Sequence, residues 1–176
     1  MSAPLSRLRP LAEADLARVR AWRNAPEVRL HMFTTHEIGA EEHQRWFERH
    51  HADPTRRLLV FEAGGTPQGF VHFSGVAPGG VADWGFYAAP EAPRGTGRAL
   101  GEAALDHAFG VEALHKVCGQ ALADNAASIR FHRQLGFREE GVLRRQHRDA
   151  TGRYHDIHCF GLLQPEWRAA GKDATA

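Results

Sequence analysis

The residues best placed to do chemistry are Arg94-Gly95-Thr96-Gly97, a glycine-rich turn at the mouth of a helical segment. Glycine there lets the backbone take positive φ and lets a ligand approach the free N–H groups of the first helical turn. Those donors, with the positive end of the helix, suit a phosphate or pyrophosphate. The same Gly-x-Gly also fits an ordinary tight strand-to-helix turn, so the motif alone leaves both readings open. Asn125 stands before a second, alanine-led helix, where it fits an N-cap. His155-x-x-His158 comes closest to a metal-ligand spacing, but it falls in a strand and no His-Glu-x-x-His pattern is present, so no metal is expected. Cys118 and Cys159 lie far apart and form neither a disulfide framework nor a zinc motif.

A β region and a set of alternating strands and helices must position these residues. Val81 to Ala88 reads as a strand with Trp84, Phe86 and Ala88 on one face and Asp83, Gly85 and Tyr87 on the other. The segment after Gly97 carries Leu100, Ala104, Leu105, Ala108 and Phe109 at helical spacing and turns one stripe to a core. Upstream, Ser6 to Pro10 reads as a strand and Ala12 to Asn24 as a helix that exits at Pro26. Glu27 to Phe33 continues as a helical turn before the loop Thr34 to Glu37. Ala40 to His51 is an amphipathic helix with His43, Trp46, Phe47 and His50 on one stripe. Arg57 to Ala63 and Gln68 to Val76 flank Gly64-Gly65-Thr66-Pro67, a hairpin signal, and Pro78-Gly79-Gly80 turns the chain into the Val81 strand. Downstream come a strand from His115 to Leu122 and a helix from Ala126 to Leu135 closed by Gly136. Phe137 to Leu163 reads as two strands turning at Asp149 to Gly152. One domain over residues 6–167 is expected, followed by a disordered tail over 168–176.

The chain has 176 residues, 43% of them hydrophobic, enough for one substantial core. Its 22 basic and 21 acidic residues nearly balance and form no long run of one sign, which argues against nucleic acid or an anionic membrane as the main partner. There is no apolar leader and no apolar run long enough to span a bilayer, so a soluble, cytoplasmic protein is expected.

Arg94-Gly95-Thr96-Gly97-Arg98-Ala99 fits the Arg/Gln-x-x-Gly-x-Gly/Ala signature of the GCN5-related N-acetyltransferases (GNAT). The run from Asn125 through Ser128, Phe131, His132 and Arg133 to Gly136-Phe137 fits that superfamily's second motif, Asn-x-x-Ala/Ser-x-x-Leu-Tyr-x-x-x-Gly-Phe. The two motifs stand in the family's order with a strand between them, and the secondary structure matches from Leu8 to Leu163. The resemblance implies an α/β (α+β) GNAT fold, a mixed, mostly antiparallel twisted sheet of about seven strands flanked by about four helices. It implies acetyl-CoA as acetyl donor, its pyrophosphate on Arg94, Gly95, Thr96, Gly97, Arg98 and Ala99. The pantetheine arm would lie like an added strand on the splayed backbone of Phe86, Tyr87 and Ala88. Asn125 would reach that arm, with Ser128, Phe131 and Arg133 also at the cofactor.

The reaction so implied is direct: a neutral amine attacks the thioester and the thiolate is protonated as it leaves. Because amines arrive protonated, a base or water chain is needed. The family's usual thiolate acid is Tyr, and His132 stands in its place. A His can donate a proton near neutral pH, and it equally fits a packed, hydrogen-bonded helix residue. For the base, Asp83 and Tyr87 share one strand face while His72 and Ser74 share another. Asp83 and Ser74 join His132 as catalytic candidates, although an Asp on a strand is commonly a solvated surface residue.

The N-terminal half resembles one branch, the acetyltransferase of pseudaminic acid biosynthesis, in Ala21 to Arg29, Met32 to Ile38, Glu42-His43 and Trp46-Phe47. So do Trp84 to Tyr87, Leu114 to Lys116 and Gly152 to Asp156. This implies transfer to the 4-amino group of a UDP-linked nucleotide sugar, UDP-4-amino-4,6-dideoxy-N-acetyl-β-L-altrosamine, a precursor of the sugar placed on bacterial flagellin. Arg23, Asn24, Arg29, Phe33, Thr34, His36 and Trp46 would hold it. Trp22, Phe33, Trp46 and Phe47 also read as core, for two or three of the four. The Trp-Arg-Asn segment occurs in the ribosomal-protein branch too, so a protein N-terminus or a small polyamine is the alternative acceptor, and a non-catalytic acyl-CoA-binding module is a third reading. A polyamine enzyme needs an acidic acceptor cleft, which this near-neutral chain with basic N-terminal helices does not suggest. A homodimer is left open.

Overall fold

The computed structural model describes residues 6–173. Seven strands form one sheet in the order β1-β2-β3-β4-β5-β7-β6. β1 (Ser6–Pro10), β2 (Arg56–Ala63), β3 (Thr66–Ser74) and β4 (Val81–Ala88) form an antiparallel meander. β4 then pairs in parallel with β5 (Lys116–Leu122), and β7 (Tyr154–Leu163) lies antiparallel between β5 and β6 (Arg138–Arg148). The single parallel pair demands a crossover. Helix α4 (Thr96–Asp106) supplies it, extended by a π-helical turn over His107–Val111. This is the mixed, mostly antiparallel sheet the sequence suggested.

Both faces of the sheet are covered. Against one, α4 and α5 (Ala126–Gln134) close a core of Leu59, Phe61, Val71, Phe73, Leu100, Leu105 and Phe160. Against the other, α1 (Leu16–Asn24) and α3 (Ala40–His51) close a second core with Val19, Trp22, Phe47, Leu58, Val60 and Phe70. Burial on both sides is why β2 reads as an unbroken Leu58-Leu59-Val60-Phe61 run rather than an alternation.

Several boundaries differ from expectation for local reasons. The Ala12–Asn24 segment opens as a 3₁₀ turn, Glu13–Asp15, because the Asp15 carboxylate accepts the Ala12 N–H at 3.0 Å before α1 begins. Pro26 both ends α1 and, at a first helical position where its missing N–H is harmless, opens α2 (Pro26–Arg29), shorter than the Glu27–Phe33 turn expected. The tail expected from residue 168 begins inside a helix, α6 (Gln164–Asp173). Glu166 accepts the Leu163 N–H at 2.9 Å, and the Trp167 indole donates to Asp106 at 2.8 Å, tying that helix to α4. The remainder of that tail, 174–176, lies outside the described residues.

The start of the sheet is fastened by Arg9, whose guanidinium meets Asp15 at 2.7 and 2.8 Å and Glu62 at 2.6 Å. Both carboxylates are largely buried, and Arg9 holds each below its usual range. A carboxyl group depressed on folding stabilises the fold fully above its unfolded value and ceases to do so as pH falls through the folded value. Arg9→Ala is therefore expected to cost about 2–3 kcal/mol at pH 7. The cost should be markedly smaller at pH 3, as read by urea melts at the two pH values.

Candidate functional site

The site begins where the sheet comes apart. β4 and β5 pair only across Val81–Asp83 and Lys116–Cys118, while β5 stays zipped to β7 as far as Leu122 and β4 to β3 as far as Ala88. Ala89 donates its N–H to Gln68 O at 2.8 Å. In an antiparallel ladder the bonding direction alternates, so Gly85 and Tyr87 turn their backbone groups to β3, and Trp84, Phe86 and Ala88 turn theirs to the gap. Of the three residues expected to meet a pantetheine arm, Phe86 and Ala88 thus have free backbone groups, and Tyr87 does not. The gap opens into a cleft of about 920 Å³ that passes through the sheet, lined by Leu100, Phe131 and His132 on one side and Trp46, Phe70 and His72 on the other.

At the wide end, Gly95 takes φ 94° and Gly97 has open space where a Cβ would stand. The Thr96 N–H is bound to Pro93 O at 3.1 Å and the Ala99 N–H to Gly95 O at 3.2 Å, while the Gly97 and Arg98 amides at the start of the helix have no partner among the described residues. Thr96 is buried and its hydroxyl donates to Pro93 O at 2.7 Å, so it shapes the turn. Arg98 pairs with Glu102 at 2.8 Å and Arg133 with Glu139 at 2.7 Å, and neither lines the cleft, nor does Arg94. Asn125 accepts the Ser128 N–H at 3.0 Å as an N-cap and also lines the cleft beside Ser128, so both readings of it hold together. A linear chain ending in a pyrophosphate fits this combination of open amides, glycine turn and unpaired strand edge.

His132 is 1% exposed. Its Nδ1 lies 2.8 Å from the Ser128 carbonyl, which can only accept, and its Nε2 lies 3.2 Å from the Trp84 indole N–H, which can only donate. These partners fix a neutral ring with the proton on Nδ1, and burial lowers its pKa further. The ring stacks on Phe160 at 4.8 Å. A side chain at Gly119 of β5 would collide with Nε2, so glycine there admits the ring. His132 therefore has no proton aimed at the gap, and the geometry favours the packing reading of this residue over the acid reading. Its contacts with Trp84 and Gly119 escaped the sequence reading, because only the strand register brings these residues together.

The acceptor half lies on the α1–α3 side. Of the residues proposed for the acceptor, Arg23, Phe33, Thr34 and Trp46 line it, whereas Asn24, Arg29 and His36 do not. Asn24 instead exchanges two hydrogen bonds with the Ile38 backbone at 2.9 and 2.8 Å, Arg29 stands 4.0 Å from Glu37, and His36 pairs with Glu42 at 2.9 Å. They hold the loop that rims the cleft. Trp22 and Phe47 are core, whereas Phe33 and Trp46 face the cleft. Arg23 donates to Thr34 O at 2.7 Å, and its Nη1 is buried with no partner among the described residues. The register joins Ser74 to Asp83, His72 to Gly85 and Phe70 to Tyr87, so the two strand faces that carried base candidates are one face of the sheet. Asp83 and His72 line the cleft and Ser74 does not. Burial raises the Tyr87 phenol. The two histidines of the strand pattern are held elsewhere, His155 by Asp149 at 2.6 Å and His158 by Glu139 at 2.8 Å.

The family model described as an acetyltransferase (GNAT) domain matches residues 6–138. The chain is 26% identical over 170 residues to the spermidine N(1)-acetyltransferase of Vibrio cholerae, covering 91% of this chain and 94% of that protein. It superposes with a TM-score of 0.84 on the V. cholerae spermidine N-acetyltransferase crystallised with CoA and spermine, at 26% identity over 93% of this chain and 98% of that one. A structure of the V. cholerae spermidine/spermine enzyme with manganese ions matches with a TM-score of 0.77, at 25% identity over 94% and 96%.

Two variants test this geometry. Gly97→Asp sets a carboxylate beside the two free amides, and calorimetry is expected to show CoA bound at least about tenfold more weakly, with the melting profile little changed. His132→Phe removes the acceptor of the Trp84 N–H. It should cost about 1–3 kcal/mol of stability. Turnover per folded molecule should fall less than about tenfold, against the hundredfold or more that loss of a general acid brings.

Proposed function

This chain belongs to the GNAT acetyltransferase family, an acetyl-CoA-dependent N-acetyltransferase, and we propose that its acceptor is a primary amine of a small cationic molecule of the polyamine class. The carrying observation is the charge around the acceptor half of the cleft. Glu27, Glu42 and Asp83 line it, against Arg23 as the one guanidinium. The near-neutral composition concealed this because most basic residues of the N-terminal helices point away from the cleft. Carboxylates spaced around a cleft attract an alkylammonium and can hold its distal amines while one amine reaches the thioester. The names of the V. cholerae relatives support the same acceptor class. The aromatic walls Trp46 and Phe33 suit the methylene segments between charges.

A second reading, the UDP-linked amino sugar, keeps one specific support. Arg23 buries Nη1 without a partner at the cleft wall, and a phosphate or carboxylate would satisfy it. The V. cholerae relatives are named for polyamine acceptors, not for a nucleotide sugar. Within either reading acetyl-CoA is consumed as a substrate. The roles proposed for the chain's own residues are Gly97 and Arg98 as pyrophosphate donors, Phe86 and Ala88 as backbone partners, and Asn125 as a further polar contact.

Thiol release from acetyl-CoA with spermidine, an N-terminal peptide and the UDP-linked amino sugar separates these acceptors. Spermidine is expected to be turned over, and the Glu27→Gln/Asp83→Asn double variant should raise its KM about tenfold or more while leaving CoA affinity unchanged. UDP should not compete. Competitive inhibition by UDP that is lost in Arg23→Ala would transfer the assignment to the nucleotide sugar.

A further inference from the structure

Two histidines flank the point where β4 and β5 part, each lodged against a glycine. His132 lies against Gly119 of β5 with both nitrogens engaged. His72, on β3, lies opposite Gly85 of β4, and a side chain at position 85 would collide with its Nε2. Its ring stacks on Phe70 at 6.0 Å and borders the cleft, and neither ring nitrogen has a hydrogen-bond partner among the described residues.

The position is informative. The glycine turn follows the end of β4 at Ala88, so a chain running from it along the free edge of Ala88 and Phe86 brings its far end to the narrow part of the gap, beside Gly85. His72 stands there on the acceptor side of the sheet, whereas His132 stands on the other. We propose that His72 is the catalytic base that takes the proton from the acceptor ammonium.

His72 Nε2 accepts one proton from R–NH₃⁺. The freed nitrogen lone pair forms the C–N bond to the acetyl carbon, the C–S bond breaks, and sulphur departs with its electron pair. The nitrogen's second proton goes to the sulphur, which gives amide and thiol, and the proton on His72 passes to solvent. The groups that face His72 are His50 of α3, Arg56 at the start of β2, and Tyr87 and Asp83 of β4. Burial, then Arg56 and His50, push its pKa down to about 4, so the resting ring is neutral at pH 7 with a free lone pair; the same burial weakens it as a base, and its place beside the acceptor side of the gap carries the assignment. This role rests on the amine-acetylation reading and is independent of which amine is used.

His72→Gln keeps a polar side chain of similar reach but cannot carry the proton. With spermidine or the UDP-linked amino sugar, kcat is expected to fall about 10²- to 10⁴-fold with CoA affinity retained. Added imidazole should restore part of the rate in His72→Ala. Undiminished kcat in folded His72→Gln, or a loss confined to KM, would overturn the proposal. If the wild-type protein acetylates neither compound, the acceptor reading fails, and His72 is then tested without an acceptor. The ¹⁵N-histidine spectrum of the CoA complex at pH 7 should show a neutral His72 ring with one unprotonated nitrogen, and an imidazolium there would overturn the proposal.

Discussion

The parting of β4 from β5 after Asp83 is the constraint on which the rest of this structure depends. A continuous parallel ladder would satisfy both edges and leave no room between them. Once the strands diverge, the backbone groups of Phe86 and Ala88 have no protein partner on that side among the described residues, and buried unpaired amides are costly. The sheet tolerates this because each strand remains fully paired on its other flank. The void becomes a slot with its own hydrogen-bonding demand, which an extended ligand bearing amides can meet. The crossover that makes the β4–β5 pair parallel also brings the N-terminus of α4, with its free Gly97 and Arg98 amides, to the open end of the slot.

The gap also divides the labour of the two sheet faces. On the α4–α5 side, Trp84 and His132 satisfy one another and pack with Phe160, which makes a rigid wall. On the α1–α3 side the lining is polar and less completely paired, with Glu27, Asp83, His72 and the buried Nη1 of Arg23. Binding the donor asks for a fixed, pre-organised slot, while choosing and deprotonating an amine asks for groups with free lone pairs and charges. A packed first face and a polar second face meet these demands separately.

Much of this was legible in the sequence. The strands, the glycine turn and the Asn125 cap follow from local pattern, since turn chemistry and amphipathic spacing are set by residues close together in the chain. The family and its donor follow from the two motifs. What local pattern cannot carry is register. His72 and Ser74 seemed to occupy a different face from Asp83 and Tyr87 until the β3–β4 pairing placed them on one surface. His132 looked like a substitute acid because the indole that occupies its Nε2 lies 48 positions away. The near-neutral chain with basic N-terminal helices did not suggest an acidic acceptor cleft, because net charge counts residues, not the direction in which they point. Asn24 and His36 illustrate the same limit: their polar groups are spent on Ile38 and Glu42 rather than on a ligand.

Residue-resolved amide hydrogen exchange of the protein with and without CoA tests the role of the splay most directly. The N–H groups of Phe86 and Ala88 should exchange fast in the free protein and become protected on binding, while those of Gly85 and Tyr87, already bonded to β3, should be slow in both states. Unchanged exchange at Phe86 and Ala88 in the presence of saturating CoA would contradict the reading of the β4 edge as the strand that the donor completes.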